Sequence, residues 1–155
     1  MSKVAVGKKV PNFSAKATSD LDFKLSDYAG ERVIIYFYPK DNTPGCTTEG
    51  EDFKAAHRRF RARKTRVFGV SRDSLKSHEN FKAKYGFPFE LISDPDEKVC
   101  KHFDVIKEKN MYGRKVMGVE RSTFLIDEKG KLTHEWRKVK VKGHVDEVIE
   151  ALKTL

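Results

Sequence analysis

The sequence predicts an α/β fold with a central mixed β-sheet flanked by helices, and three observations predict it. Val33-Ile34-Ile35-Tyr36-Phe37-Tyr38 is an unbroken run of β-branched and aromatic residues, the pattern of a strand buried on both faces. From Arg32 to Tyr85 the order is strand, helix, strand, helix, which favours parallel pairing through right-handed crossovers. Ser122 to Ile126 and Leu132 to Val139 flank the turn Asp127-Glu128-Lys129-Gly130, an antiparallel hairpin that makes the sheet mixed.

Taken in order, residues 11 to 25 read as two short strands around the turn Ser19-Asp20-Leu21-Asp22, with Phe13, Phe23 and Leu25 buried. Ser26-Asp27-Tyr28 starts a short helical turn, and Ala29-Gly30-Glu31 leads into the central strand. Pro39 ends that strand, Lys40-Asp41-Asn42 are turn formers, and Thr43 and Pro44 supply the N-cap and first position of a helix. Cys46, Phe53 and Phe60 recur at seven-residue intervals and so share the inward stripe of that helix. Val67 to Ser71 is a second buried strand, and Ser74 to Tyr85 an amphipathic helix with Leu75, Phe81 and Tyr85 facing inward. Gly86-Phe87-Pro88 breaks it. Phe89 to Ile92 is a short strand, and Asp94-Pro95-Asp96 caps a helix that runs to about Phe103 and contains Cys100. Val105 to Glu120 is expected to be an irregular connection of the kind that shapes a site entrance. The last helix begins near His144-Val145-Asp146 and buries Val148, Ile149 and either Leu152 or Leu155. The sum is a thioredoxin-like layout with an added N-terminal β-hairpin, in a single domain over residues 1 to 155.

A chain of 155 residues can build a full core without staples, and its 38% hydrophobic content excludes a disordered reading. The N-terminus lacks an apolar segment and the longest apolar run is the six-residue strand, so neither a signal peptide nor a membrane span is expected, which places the chain in the cytoplasm by default. Two cysteines make no disulfide framework, no CxxC pair is present, and His57, His78, His102, His134 and His144 are scattered, so no metal and no cofactor is expected. The formal charge is +9, much of it in Lys54, Arg58, Arg59, Arg61, Arg63, Lys64 and Arg66. These read as a solvated face with cations at a helix C-terminus. The alternative is non-specific phosphate attraction, since no specific nucleic-acid motif accompanies them.

On the helix register above, Cys46 takes the third helical position, where free backbone N–H groups and the positive end of the dipole favour an anion. A cysteine placed so is shifted toward thiolate, the nucleophilic form. The other reading is a small buried hydrophobe.

Pro39, Thr43 and Cys46 in the spacing PxxxTxxC resemble the active-site signature of peroxiredoxins. The strings YFYPKDNTPGCTTE, SDPDEKVCKHFDV, EKNMYGRKVMG and RSTFLIDEKGKL are similar to the bacterioferritin comigratory protein or peroxiredoxin Q subfamily, across roughly residues 6 to 150. The resemblance implies a thiol-dependent peroxidase in which Cys46 attacks hydrogen peroxide or a small organic hydroperoxide and becomes a sulfenic acid. By the same resemblance, the Thr43 hydroxyl bonds the thiolate and orients the peroxide, Arg121 stabilises developing charge, Pro39 shields the site, and N–H groups near Gly45 and Cys46 complete an anion-friendly pocket. Read alone, Thr43 is a cap, Arg121 a surface cation and Pro39 a strand breaker.

The sequence departs from the subfamily at one place: many members carry a second cysteine five residues after the first, and here Glu51 stands there. A one-cysteine cycle is therefore expected in a monomer, with thioredoxin, glutaredoxin or a low-molecular-weight thiol as reductant. Cys100 is either structural or an atypical resolving cysteine that must come within bonding reach of Cys46. Two other readings compete: a dithiol oxidoreductase, which the missing CxxC opposes, and a basic binding or holdase protein in which Cys46 only senses oxidation.

Overall fold

The computed structural model describes residues 4–155. Its elements are β1 (Ser14–Lys16), β2 (Asp22–Lys24), a 3-10 turn (Leu25–Tyr28), β3 (Arg32–Phe37), α1 (Pro44–Ala55), α2 (His57–Ala62), β4 (Thr65–Ser71), α3 (Leu75–Tyr85), β5 (Glu90–Ser93), α4 (Lys98–His102), β6 (Ile106–Met111), β7 (Arg114–Val119), β8 (Ser122–Ile126), β9 (Leu132–Trp136) and α5 (His144–Leu152). The main sheet has the order β5-β4-β3-β8-β9. β3 pairs parallel with β4 and antiparallel with β8, so the most apolar strand takes the central place with a ladder on either side. This is a thioredoxin-like α/β fold, with β1 and β2 as the added N-terminal hairpin.

Side chains alternate across the sheet and divide the interior into two cores. Val33, Ile35 and Phe37 point to one face, where they meet Phe23 of the N-terminal hairpin and Val99, Cys100 and Phe103 of the α4 region. Ile34, Tyr36 and Tyr38 point to the other, where they meet Cys46 and Phe53 of α1, Phe60 of α2, Phe81 of α3 and Val148, Ile149 and Leu152 of α5. Cys46 and Cys100 therefore lie on opposite sides of the sheet.

Several expectations need correction. The helix carrying Cys46 is two helices, separated at Ala56 (φ −94°, ψ 3°), although Cys46, Phe53 and Phe60 all stay buried. Leu75 is exposed and Tyr85 half-buried; the buried residues of α3 are His78 and Phe81. Leu152, not Leu155, closes the core. Asp94 does cap the start of α4, accepting from the N–H groups of Val99 and Cys100, but the helix begins only at Lys98, with Glu97 in the left-handed N-cap position. The expected irregular connection is largely a β-ribbon: β6 and β7 pair over six positions, joined by Tyr112 (φ +54°) and Gly113 (φ +79°). Such a two-residue turn matches the strand twist. No helix among the described residues is long and apolar enough to cross a membrane.

Candidate active site

The loop between β3 and α1 is held by one buried carboxylate. Asp41 Oδ1 accepts from the Tyr38 hydroxyl at 2.7 Å, and its Oδ2 meets both Ser77 Oγ and His78 Nδ1 at 2.7 Å. The Asp41 N–H donates to Asp73 Oδ2 at 3.0 Å, and His78 Nε2 lies 2.9 Å from the Ile92 carbonyl. Carboxylate and imidazole are both buried, so these bonds replace water that neither group can reach. Asp41, Asp73 and His78 bring their polar atoms within 4.8 Å of one another, but Asp41 and His78 are bonded to each other and to Tyr38, Ser77 and Ile92, and Asp73 Oδ2 accepts from the Asp41 N–H and the Ser71 hydroxyl, as a lock and not an open ligand set. The lock fixes the loop that carries Pro39 and Thr43 against the start of α3.

Thr43 is the N-cap of α1 with extended backbone (φ −85°, ψ 153°), and Pro44 follows at the first helical position. Its hydroxyl donates to the Lys40 carbonyl at 2.7 Å, and neither caps the helix nor bonds Cys46. The reason is local: the turn brings the Lys40 oxygen within reach, and a carbonyl is a stronger acceptor than sulfur. The hydroxyl lone pairs stay available to accept. The first intrahelical bond runs from Thr47 N–H to Thr43 O, so the Gly45 and Cys46 N–H groups belong to the donors that a helix start leaves unused.

Cys46 is 2% exposed, on the inward face of α1. Arg121, between β7 and β8, lies over the helix start: its Nη2 donates to Cys46 Sγ at 3.4 Å and its Nη1 to Glu49 Oε1 at 2.7 Å. Gly45 makes the approach possible, because a Cβ there would sit 3.2 Å from Arg121 Nη2. Burial disfavours the Arg121 cation, and Glu49 and Cys46 outweigh it, so its pKa stands above the ordinary value. Glu49 is buried with its second oxygen unpartnered; burial pushes its carboxyl up to about 7 against the pull of Arg121. His144, at the start of α5, is held down at about 4 by burial and then by the Arg121 charge, with Nε2 2.7 Å from Thr123 Oγ1.

The structure thus brings Cys46, Arg121 and the Thr43 turn together, and places Pro39 half-buried at the end of β3. Glu51 is exposed on the outer face of α1. Cys100 belongs to the opposite core, and burial, then Asp94, push its thiol far above the ordinary range. Both cysteines are free, and the intervening sheet opposes the two-cysteine cycle through Cys100. Glu49 was not among the expected site residues. Its signal was its position three residues after Cys46, which puts a carboxylate on the same inward face, where it needs a buried cation. The basic cluster is partly paired: Arg61 and Arg66 with Glu31, Arg59 with Asp146, and Lys54 with the Tyr85 carbonyl.

Residues 6–135 match the AhpC/TSA family. Among curated relatives, peroxiredoxin Bcp of Xanthomonas campestris is 57% identical, covering 88% of this chain and 91% of the relative, and peroxiredoxin Bcp of Bacillus subtilis is 47% identical, covering 98% and 97%. Among solved structures, a Xanthomonas campestris bacterioferritin comigratory protein, described for its alkyl peroxide reduction activity, superposes with a TM-score of 0.90 at 49% identity, covering 99% of this chain and 98% of the other. Motif, fold and relatives converge: the chain belongs to the AhpC/TSA family and, within it, to the Bcp/peroxiredoxin Q branch of thiol-dependent peroxidases.

Proposed function

We propose that residues 1 to 155 act as one domain and a monomer that reduces hydrogen peroxide and small organic hydroperoxides at Cys46. The observation that carries this assignment is the Arg121 guanidinium, which reaches the Cys46 sulfur and a buried carboxylate with its two arms. A planar fork suits that task as a flexible ammonium does not. Sulfur attacks the terminal peroxide oxygen, an S–O bond forms as the O–O bond breaks, and the thiol proton ends on the departing oxygen. The products are a sulfenic acid and water or an alcohol. Arg121 stabilises the charge passing from sulfur to oxygen, the Thr43 oxygen accepts from the peroxide hydroxyl, and Pro39 limits water at the sulfur. The low exposure of Cys46 favours small peroxides, and the relative studied for alkyl peroxide reduction supports organic ones.

With Glu51 in place of a nearby thiol and Cys100 across the sheet, the sulfenic acid is reduced from outside, by thioredoxin, glutaredoxin or a low-molecular-weight thiol. Peroxide consumption with dithiothreitol tests the assignment: Cys46→Ser removes turnover, and Arg121→Ala lowers kcat/KM about a hundredfold or more. Full activity in the serine variant refutes it.

A further inference from the structure

The β6–β7 ribbon stands outside the five-stranded sheet, and residues 110 to 117 are exposed on both strands. A two-stranded ribbon with both faces in water is marginal by itself, and this one carries apolar side chains into solvent. Met111 is 51% exposed, Tyr112 100%, Val116 38% and Met117 57%; they are four of the seven large hydrophobic residues exposed among the described residues. Scattered exposure of one such residue is ordinary, but Met111 and Val116 share one face of a projecting element, with Tyr112 at its tip and Met117 on the other face, and such a pairing marks a contact surface; methionine suits one that must adapt to its partner.

The ribbon's place relative to the sulfur is defined by its base. β7 runs through Val119 and Glu120 directly into Arg121. Lys109 lies across Gly118, where a Cβ would be 3.3 Å from its Cδ, and donates to the Val119 carbonyl at 2.5 Å. Burial and then the Arg121 charge lower the Lys109 pKa. By strand alternation, Lys109, Val116, Met111 and Arg114 share one face, the face of Lys109.

Charge selects the occupant. The Lys109 face carries Lys107, Lys109 and Arg114 and no acidic residue of either strand, while Lys115 and Glu108 lie on the opposite face, on a chain of formal charge +9. Lys107 pairs with Asp104 and Lys115 with Glu108, while Arg114 has no ion pair among the described residues. A second copy would set like charges together, whereas an acidic surface around an apolar patch complements it.

We infer that the β6–β7 ribbon is the docking surface for an acidic dithiol protein, of the thioredoxin or glutaredoxin class, that reduces oxidised Cys46. The inference rests on the peroxidase assignment above. In the reaction the ribbon would serve, the partner's first thiolate attacks the Cys46 sulfenic sulfur, an S–S bond forms, and the S–OH oxygen leaves as water with one proton. The partner's second thiol then attacks its own bonded sulfur, Cys46 departs as thiolate, and the partner leaves as a disulfide. A sulfur exposed by only 2% needs its reductant held, and the ribbon offers that hold on the strand that leads into Arg121.

The test is steady-state peroxide reduction by the wild type, by Arg114→Glu and by Met111→Ser/Val116→Ser, all on the Lys109 face. Each is assayed with dithiothreitol, with an acidic thioredoxin and its reductase, and with an acidic glutaredoxin and glutathione. The changed side chains are solvent-exposed, so the dithiothreitol rates should stay within about twofold of wild type. With a redoxin that supports turnover, charge reversal should raise KM about tenfold or more, remove much of its salt dependence and leave kcat little changed. The serine pair should raise KM less, by about threefold. Redoxin kinetics within twofold of wild type in both variants overturn the inference. So does turnover with dithiothreitol but with neither redoxin. A ribbon-dependent dimer in sedimentation, or salt-sensitive nucleic-acid binding lost in the charge-reversed protein while redoxin kinetics hold, assigns the surface to another occupant and also overturns it. Absence of turnover with dithiothreitol in the wild type refutes the peroxidase assignment itself.

Discussion

Glu49 offers one carboxylate oxygen to Arg121 at 2.7 Å and leaves the other buried without a partner. A half-satisfied buried carboxylate is costly, and the cost appears as its raised pKa of about 7. The charged form grips Arg121 more strongly than the neutral acid does, because charge-assisted hydrogen bonds are about twice as strong as neutral ones. Arg121 is accordingly best held toward Cys46 above neutral pH.

Glu49→Gln keeps the shape of the side chain and removes its charge. Stopped-flow peroxide reduction at pH 8 should fall about tenfold in kcat/KM, corresponding to about 1.4 kcal/mol of lost positioning. The pH–rate profile should also lose an inflection near 7. An unchanged profile would detach Glu49 from the reaction.

Cys100→Ala should leave peroxide turnover with dithiothreitol within about twofold of wild type and lower stability by about 1 to 2 kcal/mol, because a fully buried sulfur is replaced by a small void. Intact-mass analysis of the wild type after one equivalent of peroxide should find one added oxygen and no internal disulfide.

Asp41→Ala should cost about 3 to 5 kcal/mol in denaturant unfolding, since it strips His78, Ser77 and the Tyr38 hydroxyl of one shared buried partner. Tyr38→Phe removes one of those bonds and should cost about 1 kcal/mol. Limited proteolysis should cut the Asp41→Ala protein first between Pro39 and Gly45.

His144 and Glu49 make opposing contributions to the pH dependence of stability. His144, depressed to about 4 in the folded chain, contributes stability that is full above about 6.5 and is lost as pH falls through 4. Glu49, raised to about 7, contributes stability that is full below about 4.5 and is lost as pH rises through 7. The two slopes offset between about pH 4.5 and 6.5. Glu49→Gln should therefore unmask a rise in stability with pH of up to about 3 kcal/mol, and His144→Gln a fall of similar size over 4.5 to 7. Chemical denaturation across that range, with both variants sloping alike, would contradict this.

Gly50→Ala should destabilise by about 1 to 3 kcal/mol, because the new methyl would meet the Phe87 ring at 2.5 Å and that ring is confined by Phe81 and Phe89. Melting temperature is a sufficient measure.

Most of the fold was legible because its signals are local. The Val33–Tyr38 run, the Thr43-Pro44 helix start and the Asp127–Gly130 turn each carry their own instruction, and the structure follows all three. The β6–β7 ribbon was missed because both its faces meet water, so its strands show no alternation of apolar and polar residues; only Tyr112-Gly113 marked the turn. Cys46 and Arg121 were legible as members of a motif, but their contact spans 75 positions. The partners that depend on tertiary placement were not: Glu49 drew no reading although it follows Cys46 by three residues, and Asp41 and His78 read as a turn former and a scattered histidine. The exposure of Leu75 shows the converse, an apolar residue on the right register at a helix end where no neighbour covers it.

The sheet that lies between the two thiols means an oxidised copy cannot restore itself. It stays marked until another molecule arrives, and a second peroxide arriving first drives the mark beyond recovery by thiols. The fraction of marked copies at any moment then depends on how far oxidant outruns the supply of reductant, so the same barrier that simplifies the chemistry ties recovery to a second molecule.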